Sequence, residues 1–301
     1  MKISYINENR EKIPLEHTSM LEKKYLLNVF EHIKQASFSD NLEFFVTYNQ
    51  NHLPEYKDKI VFLLGDEHYR TPAYHDKVKL IFKNYFHKGY TQKNIYGMPL
   101  PPVAYYNEGE DLQTSLIKFE DRPVDIFFRG NVNSRPHFYK YMSGIFYQLV
   151  QNRQLSDLKY NIAFTDANGA PQGSNGFRNL NHHNALQPTS FISAMAHSKV
   201  CLCPRGTSVE TFRHAEALRG GCLVISDKLP EAQYYEDSSF YMANHDWTNL
   251  PQILNEIFDA ANKEKTLNTH KKMLQLWEDR FSEKAVANNI ISIIKNPASY
   301  L

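Results

Sequence analysis

Cysteine is scarce in this 301-residue chain. Its three residues, Cys201, Cys203 and Cys222, show neither the repeated pairing of a zinc site nor the C-x-x-C spacing of a redox centre. All three lie in or beside apolar, strand-like segments, so buried free thiols are expected. Net charge is lacking too. With 34 Lys and Arg against 33 Asp and Glu, the formal charge is +1, which gives little general attraction to phosphate backbones or anionic membranes. A local basic pocket remains open, but no nucleic acid is expected as a partner. No apolar run approaches the roughly 20 residues of a membrane span, and MKISYINENREK at the start holds no signal-peptide core. The expected location is cytoplasmic, with peripheral association at the inner face of the membrane as the closest approach to lipid.

Several motifs are missing as well. There is no G-x-x-x-x-G-K-[ST] and no G-x-G-x-x-G after an expected strand, which disfavours ATPase and dehydrogenase readings, and no H-E-x-x-H, which disfavours a dedicated metal site. The adjacent His182 and His183 lack a matching carboxylate, so no metal is expected. No repeat, heptad or low-complexity tract occurs. The composition, 42% hydrophobic, is that of a globular chain long enough for two domains.

What is present alternates. LEFFVTYN (Leu42 to Asn49) and KIVFLLGDE (Lys59 to Glu67) read as strands. The second reads as a central one, because five consecutive apolar residues from Ile60 end at Gly65. Pro99, Pro101 and Pro102 make the stretch from Gln92 to Gly109 a long ordered loop. VDIFFRGN (Val124 to Asn131) is a strand followed by a Pro136-initiated helix to Asn152. Its apolar face is Phe138, Tyr141, Met142, Ile145, Phe146 and Leu149. The polar stretch from Thr165 to His183 reads either as a sugar-contacting loop or as a flexible excursion. Lys271 to Lys295 reads as two helical pieces.

The densest signal is SKVCLCPRGTSVETFRHAEALRGGCLVISD, Ser198 to Asp227. It parses as a strand Lys199 to Cys203, a turn Pro204 to Gly206, a helix Ser208 to Arg219, a stop at Gly220 and Gly221, and a strand Cys222 to Ser226. Thr207 and Glu210 have capping-box spacing. Two strands bracketing a helix imply a parallel crossover, whose helix N-terminus opens onto the ligand crevice. Arg205, Gly206, Thr207 and Ser208 then stand where an anion binds. Arg205 and Arg213 suit a diphosphate, Thr211 adds a donor, and Glu216 could accept from a ribose. The plainer reading of Arg213 and Glu216, three apart on one face, is a helix ion pair. Arg129, before Gly130 and Asn131, is placed for phosphate or acceptor. Asp66 and Glu67, after the strand and Gly65, could deprotonate an attacking hydroxyl, or could be a solvated pair at a loop start. His68, His75 and His214 are further polar candidates. Aromatic residues reach 13%, too abundant to single out Tyr105, Tyr106, Tyr234 or Tyr235 as sugar platforms rather than filler.

Cys203 to Ser226, CPRGTSVETFRHAEALRGGCLVIS, resembles the nucleotide-sugar segment of exostosin-like glycosyltransferases, and FLLGDE and DIFFRGNVNSRP resemble earlier strand ends of that family. The resemblance covers about a third of the chain. It implies an α/β chain of GT-B type, two Rossmann-like domains facing across a cleft. The expected division is 1–120 on the acceptor side, 121–278 around the donor, and a helix 279–301 packing back on the first domain. It further implies Arg205 and Arg213 at the donor diphosphate, Glu216 at its ribose, an inverting reaction and no cofactor or metal. The partners are then a nucleotide-sugar donor and a saccharide or glycolipid acceptor, as in bacterial surface-polysaccharide or lipopolysaccharide synthesis. The competing reading is a noncatalytic nucleotide- or carbohydrate-binding protein. A phosphoryl-transfer or hydrolytic enzyme would need a nucleophile or metal cluster near Gly206, which the sequence does not supply.

Overall fold

The computed structural model describes residues 1–36, 39–106, 116–152, 154–155, 157–165, 177–180 and 188–297. The expected loop from Thr165 to His183 lies outside them except for Thr165 and 177–180, and His182 and His183 lie wholly outside. The chain forms two α/β units. One comprises residues 1–111, 230–236 and 278–301, the other 112–229 and 237–277. The boundary expected at 120 therefore moves to 111, and 230–236, expected in the second domain, belongs to the first.

The first unit holds a six-stranded sheet of β1 (Lys2–Ile6), β2 (Lys12–Pro14), β3 (Glu43–Thr47), β4 (Ile60–Leu63), β5 (Leu80–Lys83) and β6 (Ile95–Gly97), in the order β2-β1-β3-β4-β5-β6. Only the β1–β2 pair is antiparallel. The pleat sends Phe44, Phe62 and Phe82 to one face and Phe45, Val61, Leu63 and Ile81 to the other. Helix α1 (Lys23–Lys34) covers the first face, with Phe30 packed 5.2 Å from Phe44 and 4.9 Å from Phe62. The connections between β3, β4, β5 and β6 contain no helix. They cover the second face themselves, through Leu53, Tyr74 and Val78. Each such apolar side chain contributes about 1.5–3 kcal/mol when fully buried, which is how irregular chain substitutes for crossover helices.

In the second unit β7 (Val124–Asn131) leads to α2 (Pro136–Tyr141), a π-helical turn (Met142–Phe146) and α3 (Tyr147–Gln151). Then follow β8 (Tyr160–Thr165), β9 (Phe177–Leu180), α4 (Pro188–Ala196), β10 (Ser198–Leu202), α5 (Phe212–Arg219), β11 (Leu223–Ser226) and β12 (Tyr241–Met242). Helices α6 (Leu250–Phe258) and α7 (Lys263–Leu276) complete this unit. Helix α8 (Glu283–Lys295) returns to the first unit, where it packs against α1. Just before α8, Tyr25 Oη donates to the Phe281 carbonyl at 2.8 Å. The sheet order β12-β11-β10-β7-β8-β9 is parallel throughout. Successive strands run outward from β7 to β9, then return beside β7 at β10 and run the other way. That reversal leaves a crevice beyond the carboxyl ends of β7 and β10.

The π-turn corrects the expected apolar face of the helix after Pro136. Ser143 donates back to the Tyr139 carbonyl at 2.8 Å, and the adjoining Gly144 has no side chain to hold the turn. A local widening of this kind adds one residue and shifts the register. Ile145 is consequently 55% exposed, while Phe146 and Val150 are buried.

Candidate functional site

The crevice at the β7–β10 switch point is built from two strand-to-helix turns. The first, Val132–Arg135, leads into Pro136, which fits a first helical turn because its missing N–H is not needed there. The second runs from Cys203 to Thr211. Here the structure departs from the expected helix start. Gly206 N–H donates to the Ser208 carbonyl at 3.0 Å, making a turn where the helix was expected. Helix α5 begins at Phe212 with Thr211 as its cap. The Thr211 N–H donates to His214 Nδ1 at 3.4 Å, and the Thr207–Glu210 spacing caps nothing. Thr207 is exposed, whereas Ser208 and Glu210 are buried. Four residues of expected helix are thus loop, and the helix N-terminus, with its unmatched N–H groups, sits at Thr211.

Four arginines converge on this loop. Arg205 is held by Asp227: its N–H donates to Oδ1 at 2.9 Å and its Nε to Oδ2 at 2.8 Å, while Nη2 meets His245 Nδ1. Arg129 donates from Nε and Nη2 to Asn161 Oδ1 at 3.2 and 2.9 Å. Arg213 donates from Nη2 to the Arg129 carbonyl and lies 4.6 Å over the Phe191 ring. Its Nη1 stands 3.4 Å from Glu216 Oε2, an ion pair without hydrogen-bond geometry. Glu216 is buried and lies on the same helix.

The fourth, Arg135, was not read from the sequence as a site residue. It donates from Nε to the Pro204 carbonyl at 3.3 Å and from Nη1 to Ser134 Oγ at 2.9 Å. Among the described residues no carboxylate lies within ion-pair distance of it. Burial, and next the charge of Arg213, push Arg135 down to about 10. Its Nη2 lies 3.6 Å from where a Gly206 Cβ would stand, with Thr211 Cγ2 at 3.7 Å on the same side. Thr211 Oγ1 and Arg213 Nη1 are both buried without a hydrogen-bond partner. Two like charges, a hydroxyl and a helix N-terminus thus meet around Gly206 with donors to spare, an arrangement that an anion completes. The sequence signal for Arg135 was present: Ser134-Arg135-Pro136 stands at a strand end before a helix, as Arg205 does.

Beside this cluster is a cavity of about 210 Å3 with Arg135, Arg205, His137 and His245 on its walls and Phe138 and Trp247 beneath. The two rings meet edge-on at 4.7 Å. The volume lies below the roughly 300–1,000 Å3 of complete small-molecule sites, so it suits one phosphate or one sugar ring.

His214 is a core residue rather than a base. Its Nε2 is 3.0 Å from Ser226 Oγ, and burial, which outweighs its backbone hydrogen bond, pushes it down to about 3. A histidine held neutral in the fold takes up its proton first in the unfolded chain. Its stabilising effect is therefore complete above the unfolded value near 6.5 and declines as pH falls from there towards 3. His270, which shares a hydrogen bond with the Gly221 carbonyl at 2.8 Å, is lowered for the same reason. Denaturant melts should show stability falling on the order of a few kcal/mol across this range, with the slope reduced in His214→Gln. An unchanged slope would mean that His214 does not govern it.

In the first unit, Asp66 and Glu67 separate. Gly65, just before them, turns the chain at φ +74°, with Tyr48 packed so that a Cβ there would stand 2.8 Å from its Cδ1. Asp66 is fully buried and lies 2.7 Å from Lys83 Nζ, itself fully buried at the end of β5. It also accepts from Arg70 N–H at 2.6 Å and from Arg70 Nε at 3.1 Å. Burial raises its pKa, but Lys83 and then Arg70 outweigh it and hold the carboxyl below the usual range. A carboxylate so engaged is a poor proton acceptor, which corrects the expectation for Asp66. Glu67 is exposed, with Tyr85 Oη 3.5 Å away. His68 is exposed beside it.

Among the described residues no three His, Cys, Asp or Glu side chains cluster as metal ligands, and no helix is long and apolar enough to cross a membrane. The three cysteines are buried and free.

No protein-family model and no curated protein matches the chain. Solved structures do. Trehalose-6-phosphate synthase OtsA is similar with a TM-score of 0.53 over 91% of this chain and 77% of its own, at 11% identity. A trehalose-6-phosphate synthase analysed for glycosyltransfer with retention gives 0.53, 91%, 78% and 11%. A trehalose-6-phosphate protein from E. coli bound with UDP-2-fluoro glucose gives 0.51, 91%, 78% and 10%. At such identities the likeness is one of fold, and that fold is the GT-B arrangement of two Rossmann-like units.

Proposed function

We propose that this chain is a glycosyltransferase, of exostosin-like kind, that moves a sugar from a nucleotide-sugar donor to a saccharide or glycolipid acceptor in bacterial surface-glycan synthesis. The observation that carries the reading is Arg135, without an ion-pair partner, beside Arg213, whose Nη1 still has a hydrogen bond to give, at the Thr211 helix terminus near Gly206. The donor diphosphate is assigned to them, with Arg205 and Thr211 adding donors and Glu216 facing the ribose. The UDP-sugar bound by one structural neighbour supports a donor of this class.

The acceptor hydroxyl oxygen attacks the anomeric carbon as the bond to the diphosphate oxygen breaks. The departing electron pair settles on that oxygen, where guanidinium groups and the helix terminus offset the charge without a metal or cofactor. Inversion passes the hydroxyl proton to Glu67, the exposed carboxylate of the pair. Retention is the second reading, favoured by the engagement of Asp66 and by the neighbour analysed for retention. There the proton passes to the departing phosphate.

The test is transfer from a panel of nucleotide sugars in EDTA, with the product anomer read by proton NMR and Glu67→Gln alongside. Inversion predicts the opposite anomer and a loss of at least 100-fold in kcat for the variant, whereas the same anomer with a small effect selects retention. Nucleotide binding without any turnover would favour the noncatalytic alternative.

A further inference from the structure

A second cavity lies wholly in the first unit and is not part of the arginine site. It measures about 510 Å3, within the range of small-molecule sites. It runs between the edge strand β6 and the first turns of α8. Gly97, the last residue of β6, makes it possible: a Cβ there would come within 3.0 Å of both the Phe86 and the Tyr234 ring. The bare strand lets two aromatic side chains close over it and form the floor. Tyr90, 5.3 Å from Phe86, extends this apolar surface.

The charges around the cavity cancel. Lys88 is paired with Glu236, and Arg280 stands beside Asp279 while its Nη1 donates to the Gln233 and Glu236 carbonyls. Two cations and two anions leave no net attraction for phosphate or carboxylate, in contrast with the arginine site. The other polar groups are amides, Gln92, Gln233 and Asn289. Each amide offers both donor and acceptor, and Gln92 Oε1 is buried without a hydrogen-bond partner. Aromatic faces for ring C–H groups, amides for hydroxyls and no net charge define a neutral saccharide site.

We infer that this cavity binds a neutral saccharide, and, resting on the glycosyltransferase reading above, that the saccharide is the part of the acceptor remote from the reacting hydroxyl. Gly97 and Leu63 end parallel strands of one sheet, so the cavity lies at the same end of the unit as Glu67. Tyr90, on the cavity wall, donates from its Oη to the carbonyl of Arg70, three residues beyond Glu67, at 3.3 Å.

Saturation-transfer NMR without nucleotide tests this directly, using maltotriose, cellotriose and chitotriose, with glucose 6-phosphate as the charged comparison. Asn289 is exposed on α8, so Asn289→Trp fills the cavity without touching the core. Asn289→Ala removes only the amide. At least one trisaccharide should bind saturably and lose tenfold or more in affinity with Asn289→Trp, while UDP binding is unchanged. No trisaccharide binding to folded protein, indifference to Asn289→Trp, or tighter binding of glucose 6-phosphate would overturn the inference. Saccharide binding that survives a failure of all nucleotide binding would retain the cavity assignment and remove the glycosyltransferase reading instead.

Discussion

Arg135→Ala should weaken nucleoside diphosphate binding by at least tenfold while leaving the ligand-free protein as stable as before, or more so. An arginine truncation costs stability when it strands a paired carboxylate, but among the described residues none is paired with Arg135. Arg135 is buried beside Arg213, and its pKa is pushed down by desolvation and by that like charge. A base whose folded value lies below its unfolded one opposes folding wherever it is charged, and arginine stays charged throughout the working range. Removing it relieves the repulsion. Bound diphosphate reverses the sign, because each charge-assisted hydrogen bond contributes about 1.5–3 kcal/mol, or roughly ten- to a hundredfold in affinity. Arg213→Ala should differ in one respect. It loses affinity similarly but also leaves Glu216 buried with its ion pair gone, lowering stability by about 1–3 kcal/mol. Thermal melts and calorimetry on both variants check the contrast. A marked fall in the stability of Arg135→Ala would show that Arg135 is held by contacts rather than waiting for an anion.

The second large effect is expected at Asp66. Asp66→Asn takes the opposite charge away from the fully buried Lys83 ammonium, and breaking such a buried pair costs about 3–5 kcal/mol. The melting transition should fall steeply. The paired replacement Asp66→Leu with Lys83→Met should recover much of the loss, since two apolar groups leave no charge uncompensated. In the wild type the folded carboxyl value is depressed, so the contribution is complete above the unfolded value near 3.8 and is lost as pH falls below it. If Asp66 were instead the catalytic base, Asp66→Asn would abolish turnover with stability intact, and melts beside kcat separate the two cases.

Much of the second unit was legible because its strands are continuous apolar runs. Val124 to Asn131 is a strand over the expected residues, and the two strands bracketing the Arg213 helix lie within one residue of theirs. The helix start was misread because two cap signals stand four residues apart. Thr207 with Glu210 fits the better-known pattern, but the Gly206–Ser208 turn takes that stretch out of the helix, and Thr211 with His214 caps it instead. The π-turn was hidden since Ser143 and Gly144 alter the period without changing the composition. In the first unit β5 and β6 escaped notice. One ends in Lys83, whose burial depends on Asp66, 17 residues earlier, and the other is three residues long. Arg213 and Glu216 were read both as an ion pair and as donor ligands, and the observed 3.4 Å pairing leaves Nη1 a hydrogen bond to give. Arg135 was missed because its importance lies in what surrounds it, a like charge and no carboxylate at ion-pair distance, which only the fold brings together.

The most direct test of the donor site is hydrogen–deuterium exchange of the full chain with UDP, GDP, ADP and CDP in turn. One of them should protect the two strand-end segments, Asn131 to His137 and Cys203 to Glu216, and this protection should be lost in Arg135→Ala. Protection confined to other segments, or none with any of the four on a folded protein, would contradict a nucleotide-sugar site at the β7–β10 switch point.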